Sequence, residues 1–188
     1  MIALGAGKAF VLTAGFNVVL CDLLPDLVRA WRRAFAAYPE VQVRQGDLLE
    51  VEADAYVSPA NSYGIMDGGI DAALSARFPQ VEAQVQSAIA QVGDLLPVGQ
   101  ALVVETGDLD VAYLVCAPTM KLPSRVGHTD NAFQAMLALL SAVEQFNAVY
   151  DDVIGTVAVP GLCTGVGEME PEAAAQQMVQ AYAEWQRR

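Results

Sequence analysis

The chain has few of the residues that build metal sites, disulfides and nucleic-acid surfaces. Its 188 residues include one histidine and three cysteines, and its 10 Lys and Arg against 22 Asp and Glu give a formal net charge of −12. Because phosphate backbones bind basic surfaces, we expect no general binding of nucleic acid. Cys21, Cys116 and Cys163 lie in or beside apolar runs without metal-ligand spacing. They indicate reduced thiols in a cytoplasmic protein and no metal site.

Long apolar runs are also absent. Although 54% of the residues are hydrophobic, no run approaches the ~20 apolar residues that a membrane helix needs. The apolar stretch at residues 9–24 has no convincing cleavage site, so we interpret it as buried strand rather than as a signal peptide. The length and the lack of linkers predict one domain, residues 1–188, with residues 1–17 as a short extension or an extra strand. We expect a monomer without a membrane partner.

Strand-like and helix-like segments alternate along the chain. A helix break is expected near Pro79, and Asp130 is a candidate N-cap. Such alternation is typical of an α/β domain with a parallel or mixed sheet. The predicted strands cover residues 18–22, 41–47, 54–61, 100–106, 112–118 and 152–161, and the predicted helices cover residues 25–38, 71–91, 129–146 and 171–186.

Two polar, glycine-bearing stretches follow predicted strands and precede predicted helices. They are "SPANSYGIMDGGID" at residues 58–71 and "PGLCTGVGEMEP" at residues 160–171. Ligands of open α/β sheets lie beyond the carboxyl ends of the strands, and glycine lets backbone N–H groups approach an anion closely. The two stretches therefore predict a diphosphate site, although glycines at such positions also serve ordinary turn geometry.

These stretches carry a resemblance to a known family. "QGDLLEVEADAYVSPANSYGIMDGGIDAAL" resembles the macrodomain run from "GDI" through "VNAAN" into a glycine-rich loop, and "VPGLCTGVGEMEP" resembles the second loop of that family. The order and spacing hold from about Val18 to Trp185. The resemblance implies a three-layer α/β/α sandwich with a central mixed sheet. It also implies ADP-ribose or an ADP-ribosylated substrate as the partner, with no cofactor and no metal.

The resemblance implies roles for individual residues. Asp47, with Leu48 beside it, matches the acid that accepts a hydrogen bond from the adenine amine, although Asp47 also fits a turn after Gly46. Asn61 matches the asparagine that holds the distal ribose, and an amide both donates to and accepts from a diol. The residues that match the loops around the distal ribose and the diphosphate are Gly68, Gly69, Ile70, Gly161, Cys163, Thr164, Gly165, Val166 and Gly167. Cys163 stands where Ser is common, and without an adjacent His it is interpreted as a wall residue rather than a nucleophile.

Asp71 decides between an enzyme and a binding module. It lies ten residues after Asn61, as does the catalytic aspartate in the hydrolytic branch of the family. That match implies a metal-independent hydrolase of ADP-ribosyl-protein, O-acetyl-ADP-ribose or ADP-ribose-1''-phosphate, in which Asp71 positions or activates water. A carboxylate in the first turn of a helix is also favoured by the helix dipole, by ~0.3–1 kcal/mol, without any catalytic role. The alternative is therefore a non-catalytic ADP-ribose-binding module.

Several positions depart from the family pattern. Ser58-Pro59 replaces the first Asn-Ala, and Asp67 occupies the first position of the usual glycine triplet. The stretch at residues 160–171 is one residue longer, and Gly167-Glu168 stands where an aromatic residue usually covers the distal ribose. These departures bear on specificity and affinity rather than on the fold.

An S-adenosylmethionine-dependent methyltransferase is the rival class. Residues 18–35 place an acid at a strand end, and "SPANSYG" faintly resembles an Asn-Pro-Pro-Tyr motif. The glycines before that acid, at residues 5–15, have poor spacing, and the stretch at residues 160–171 would go unexplained. Outside these motifs, Lys121 and Arg125 are candidate contacts at the rim of a site, and His128 fits a solvated loop or a cap.

Overall fold

The computed structural model describes residues 15–151 and 153–188. Residues 1–14, which hold most of the predicted extension, lie outside this part of the chain. The described strands are β1 (Asn17–Asp22), β2 (Gln42–Gln45), β3 (Ala55–Ser58), β4 (Leu102–Glu105), β5 (Tyr113–Cys116) and β6 (Thr156–Val159), and the described α-helices are α1 (Pro25–Ala34), α2 (Gly69–Arg77), α3 (Val81–Val92), α4 (Asn131–Tyr150) and α5 (Pro171–Trp185).

The strands form one mixed sheet in the order β2-β1-β6-β3-β5-β4. Each neighbouring pair is parallel except β4 and β5, which are antiparallel. Because β6 lies between β1 and β3, the segments that leave the carboxyl ends of these three strands meet at one edge of the sheet. This edge is where an open α/β sheet binds ligands.

Helices cover both faces of the sheet, which confirms the predicted three-layer α/β/α sandwich. Along β1, Val18 and Leu20 pack into the core shared with α1, α4 and α5. Val19 and Cys21 point the other way, into the core shared with α2 and α3. The strands β1, β3, β5 and β6 bury both faces, and this explains why they are apolar runs rather than alternating patterns.

Helix α1 is shorter than predicted, because it ends at Ala34 rather than at Tyr38. Pro39 follows Tyr38 and disfavours a helical backbone there. The chain instead makes a turn in which the Tyr38 N–H donates to the carbonyl of Phe35 at 2.8 Å. The ring of Tyr38 still packs in the core, with its centroid 5.1 Å from that of Tyr182.

The predicted helix break is confirmed, because α2 ends at Arg77 and α3 begins at Val81. The N-cap position of α4 is Asp130 as predicted, but its carboxylate makes no capping bond to the backbone. That carboxylate accepts a hydrogen bond from the side chain of Gln134 at 2.7 Å instead. Within residues 15–151 and 153–188, no helix has the length and apolar character to cross a membrane.

Candidate functional site

A cleft opens at the carboxyl edge of the sheet, between two loops. The first loop, residues 59–68, joins β3 to α2, and the second loop, residues 160–170, joins β6 to α5. Since β3 and β6 are neighbours, the loops face each other. Most of the predicted site residues line this cleft, namely Asn61, Gly68, Gly69, Ile70, Asp71, Gly161, Cys163, Gly165, Val166 and Gly167.

Three predicted site residues are not among those that line the cleft. Asp47 is exposed at the same sheet edge, beyond β2, and its Oδ1 accepts the Leu49 N–H at 2.9 Å. The side chain of Leu48 is buried in the core, so that only its backbone is open to a ligand. Thr164 is half-buried, and its hydroxyl lies over Gly161, where an added Cβ would be only 2.3 Å from it.

The buried side chain of Asn61 binds its own loop. Its Oδ1 accepts the N–H groups of Tyr63 at 3.0 Å and Ile65 at 3.4 Å, and its Nδ2 donates to the Ile65 carbonyl at 2.8 Å. An amide carries two N–H donors and one carbonyl acceptor. The remaining Nδ2–H is therefore the part of Asn61 that is left for a ligand, which makes it a donor rather than the donor and acceptor that the resemblance implied.

Other contacts close the first half of the first loop. The Ser62 N–H donates to the carbonyl of Met120 at 2.9 Å, and the Met66 N–H donates to the carboxylate of Glu82 at 3.2 Å. The N–H groups on this part of the loop are thus occupied within the protein. Met120 also lines the cleft and forms a parallel bridge with Asn61, a contact that the sequence analysis missed.

The second half of the first loop is open, because it runs into the start of α2. The first bond within this helix joins the Ala72 N–H to the Gly68 carbonyl at 3.3 Å. N–H groups in the first turn of a helix have no acceptor within the helix. Gly69 has a φ of +55°, and a Cβ added to Gly68 or Gly69 would meet nothing within 4 Å. Gly68 and Gly69 therefore leave the backbone at the start of α2 uncovered at the cleft.

The second loop is held by bonds between its own backbone groups. The carbonyl of Cys163 accepts the Met169 N–H and the carbonyl of Gly165 accepts the Glu168 N–H, both at 3.0 Å. Among the hydrogen bonds of the described chain, none has an N–H of residues 163–167 as its donor. The loop thus has its carbonyls engaged and its amides unpaired, which is the arrangement of an anion-binding nest.

Two glycines of the second loop, Gly167 and Gly165, differ in the space around them. A Cβ at Gly167 would lie 2.4 Å from the carbonyl oxygen of Cys163 and 2.7 Å from the side chain of Val126. A Cβ added at Gly165 would meet nothing within 4 Å. Gly167 is therefore needed for the loop to close, whereas Gly165 leaves the cleft accessible.

Asp22 is a residue of the site that the sequence analysis interpreted differently. Its Oδ2 accepts the Gly161 N–H at 3.0 Å, and its Oδ1 accepts the Leu24 N–H at 2.9 Å. Its signal in the sequence is an acid at the end of a buried strand, the feature on which the methyltransferase alternative rests. In the structure this carboxylate anchors the start of the second loop to β1.

Asp71 lies half-buried in the first turn of α2, at the wall of the cleft. Its Oδ1 accepts a hydrogen bond from the hydroxyl of Ser58 at 2.6 Å. Burial raises the pKa of Asp71 from 3.8 to about 6, the charge of Asp67 adds to the rise, and the Ser58 hydroxyl opposes it. A carboxylate with such a pKa is suited to exchange protons near neutral pH.

Cys163 is a buried wall residue, as the sequence analysis interpreted it. Burial raises the pKa of its thiol to about 12, against the weaker effect of the neighbouring Thr119 hydroxyl. A thiol with that pKa is a poor nucleophile. Thr119, which the sequence analysis did not select, lines the cleft and donates from its hydroxyl to the Pro59 carbonyl at 2.8 Å.

Positive side chains are scarce at the cleft. None of the described residues that line it is Lys, Arg or His. Lys121, which follows Met120 in the sequence, is exposed. Arg125 forms an exposed ion pair with Glu168, in which its Nε lies 3.0 Å from a carboxylate oxygen. His128 is exposed. No group of three or more His, Cys, Asp or Glu that could hold a metal ion occurs among residues 15–151 and 153–188.

Comparisons with known proteins agree on one family. The family model for the Macro domain matches residues 57–178. An uncharacterized protein of Aquifex aeolicus is 33% identical over 141 residues, which cover 75% of this chain and 79% of that protein.

Two further matches come from Mycobacterium tuberculosis. A DNA ADP-ribosyl glycohydrolase is 30% identical over 141 residues, which cover 73% of this chain but only 37% of that protein. The solved macrodomain of DarG has a TM-score of 0.62 and 28% identity, over 74% of this chain and 87% of that one.

Proposed function

The chain belongs to the macrodomain family, and we propose that it binds ADP-ribose in the cleft and hydrolyses ADP-ribose derivatives bonded at the distal ribose. The observation that carries this proposal is the placement of Asp71 and Asn61 beside two sets of unpaired backbone N–H groups in one cleft. The two sets serve the diphosphate, and the two side chains serve the distal ribose and the attacking water.

Backbone amides supply the attraction for the diphosphate. Oriented N–H groups and a helix start carry partial positive charge, which favours an anion without any Lys or Arg. This matters here because the chain has a net charge of −12 and its cleft is lined by Asp67 and Asp71. Residues 163–167 would hold the diphosphate from one side, and the start of α2 from the other.

Asp47 is the proposed partner of the adenine. It lies at the same sheet edge, and one of its carboxylate oxygens holds the Leu49 N–H, so the other is left to accept from the exocyclic amine. Asp47→Ala is expected to weaken ADP-ribose binding by roughly 1–3 kcal/mol, the scale of a hydrogen bond to a charged group. Calorimetric titration measures this change, and unchanged affinity would place the adenine elsewhere.

The proposed reaction is direct hydrolysis. The remaining Nδ2–H of Asn61 holds a hydroxyl of the distal ribose, and Asp71 together with a phosphate oxygen of the substrate holds a water near the anomeric carbon. The water oxygen forms a new bond to that carbon, Asp71 takes up its proton, and the bond to the attached group breaks with its electron pair going to the leaving group. Negative charge nearby stabilises the oxocarbenium-like transition state.

Release assays on different substrates distinguish which ADP-ribose derivative the proposed hydrolase cleaves. Release of ADP-ribose is followed chromatographically from an automodified transferase, from O-acetyl-ADP-ribose and from ADP-ribose-1''-phosphate. An ADP-ribosylated oligonucleotide is added because one relative is named a DNA ADP-ribosyl glycohydrolase. This chain spans 37% of that protein, and its acidic charge disfavours a nucleic-acid substrate.

Asp71→Ala tests the catalytic step. We expect ADP-ribose affinity to stay within a few-fold of wild type while turnover falls by a factor on the order of 10² or more, as for the loss of a positioned acid or base. S-adenosylmethionine serves as the control ligand in the binding experiment, and we expect it not to bind.

A non-catalytic ADP-ribose-binding module is the second candidate, favoured by the helix-start position of Asp71. The wild type would then bind ADP-ribose and release none from any of the four substrates.

A further inference from the structure

Ser58 holds the carboxylate that the proposed reaction uses. It is the last residue of β3 and is fully buried, and its hydroxyl donates to Oδ1 of Asp71 at 2.6 Å. The two residues are 13 positions apart, so the bond connects the end of a central strand to the first turn of α2.

The backbone of Ser58 is fixed by its pairing with the end of β5. In the sheet its Cα is paired with that of Cys116 on β5, and its carbonyl accepts the Ala117 N–H at 3.0 Å. A side chain on such a backbone has little freedom, because strand and burial together restrict its rotamer. The Ser58 hydroxyl is therefore a donor in a set position, aimed at one oxygen of Asp71.

We propose that Ser58 is a positioning residue of the hydrolase, which holds Oδ1 of Asp71 so that Oδ2 faces the water and the carboxylate stays ionised at neutral pH. This inference rests on the proposed function. Ser58 stands where the family pattern has Asn, so the arrangement belongs to this chain rather than to that pattern.

The surroundings of Asp71 make such a donor necessary. Burial removes the solvent that would stabilise its negative charge, and Asp67, from the first loop, adds a like charge nearby. Among the described residues that shift its pKa, none is a cation, and the Ser58 hydroxyl is the one that favours the ionised form. A bound diphosphate would add further negative charge, which favours protonation of Asp71.

Ser58→Ala removes the donor with little change of volume. We expect kcat at pH 7 to fall roughly 10-fold to 100-fold, while KM and the affinity for ADP-ribose change less than about threefold. The acid limb of the kcat–pH profile should move upward by about one pH unit, because the carboxylate is protonated more readily without its donor. In a second variant, Ser58→Thr, the hydroxyl is retained, and the profile should return toward that of wild type.

Ser62→Ala is the matched control. Ser62 is also buried beside the cleft, but its hydroxyl donates to the carbonyl of Met120 at 3.4 Å and not to Asp71. This variant should keep the wild-type pH profile. In an Asp71→Asn background, Ser58→Ala should have no further effect on the residual rate, since Ser58 acts through Asp71.

Two outcomes overturn the inference. One is a Ser58→Ala enzyme with wild-type kcat and pH profile, and the other is a loss of rate that comes entirely from KM or from unfolding in a melting experiment.

Carbon-13 NMR titration of the Asp71 carboxyl keeps this test separate from that of the proposed function. If wild type hydrolyses nothing, the reaction is wrong, yet an upward shift of the Asp71 titration in Ser58→Ala still supports the hold of Ser58 on that carboxylate. An unshifted titration rejects it.

Discussion

Side chains make several of the bonds that hold the first loop, whereas the second loop, beyond its anchor to Asp22, is held mainly by its own backbone. Asn61 bonds to Tyr63 and Ile65 in the first loop, and Glu82 reaches in from α3 to hold Met66. The second loop is held instead by backbone carbonyl groups, which accept hydrogen bonds from N–H groups a few residues further along the chain.

This difference matches the two roles that we propose for the cleft. A loop held by side chains positions other side chains accurately, and the first loop leads directly to Asp71. A loop held by its backbone keeps its remaining N–H groups in fixed directions, and it tolerates few Cβ atoms, as at Gly167. The first loop is therefore suited to the reacting end of a ligand and the second to its anionic middle. The following predictions test this division, from the largest expected effect to the smallest.

Gly165→Glu should have the largest effect, because it places bulk and negative charge over the proposed anion site. We expect ADP-ribose affinity to fall by a factor on the order of 10² or more, measured by calorimetric titration. Gly165→Ala is the matched control, since a Cβ there meets nothing within 4 Å, and it should bind within a few-fold of wild type. Strong binding by Gly165→Glu would show that the diphosphate lies away from the second loop.

Asn61→Ala should disturb the first loop and the ligand together. Loss of the bonds to Tyr63 and Ile65 should speed hydrogen exchange at both amides and lower ADP-ribose affinity by roughly 10-fold to 100-fold. Asn147 provides a matched control, because it is another buried Asn that holds its neighbouring chain, through Ile154, with bonds of 2.8 and 2.9 Å. Asn147→Ala should lower stability without changing affinity, and equal affinity losses in both variants would remove any special role of Asn61.

Asp71→Asn should make the protein more stable at neutral pH. The folded-state pKa of Asp71, about 6, lies above the ordinary value of 3.8, so the unfolded chain releases this proton first. Stability from this group is complete below about pH 4 and is lost as the pH rises through 6.

The variant lacks this loss, and its free energy of unfolding should exceed that of wild type by ~1–3 kcal/mol at pH 7.5 and match it near pH 4. Denaturant titrations at the two pH values measure the difference. Asp67→Asn, at an exposed position, should give a smaller change, and a stabilisation that is the same at both pH values would count against the raised pKa.

Lys121→Ala should have the smallest effect. If backbone amides hold the phosphates, removing this exposed cation should weaken ADP-ribose binding by less than about threefold, and by less still at high salt. Calorimetric titrations at low and high salt measure both effects. A loss larger than that of Gly165→Glu would reverse the assignment and place the phosphates on side-chain cations.

Much of the fold could be predicted from local patterns. The apolar runs and the capped amphipathic segments predicted the alternation of strands and helices, and the structure confirms the three-layer sandwich with a mixed sheet. The motif order predicted the family, which the match at residues 57–178 confirms. The predicted end of α1 was wrong, because Pro39 disfavours a helical backbone at Tyr38 despite the helical spacing of Phe35 and Tyr38.

The lining of the cleft was predictable where a residue lies within a loop motif, as for Gly68, Gly69 and Gly165. Contacts between residues distant in sequence were not predictable. Asp22 anchors Gly161 across 139 positions, Ser58 meets Asp71 across 13, and Thr119 holds the carbonyl of Pro59 across 60.

The sequence by itself determined the alternation of elements, the two glycine-bearing loops and the acidic charge, and it therefore predicted that backbone amides rather than basic side chains would bind an anion. Only the tertiary structure decided which side-chain atoms remain available to a ligand. The side-chain carbonyl oxygen of Asn61 already accepts hydrogen bonds from its own loop. One carboxylate oxygen of Asp71 accepts a hydrogen bond from Ser58, and the pKa of Asp71 is raised. The reason is that hydrogen-bonding capacity and pKa are set by burial and by neighbours in space, and neither is written in the spacing of residues along the chain.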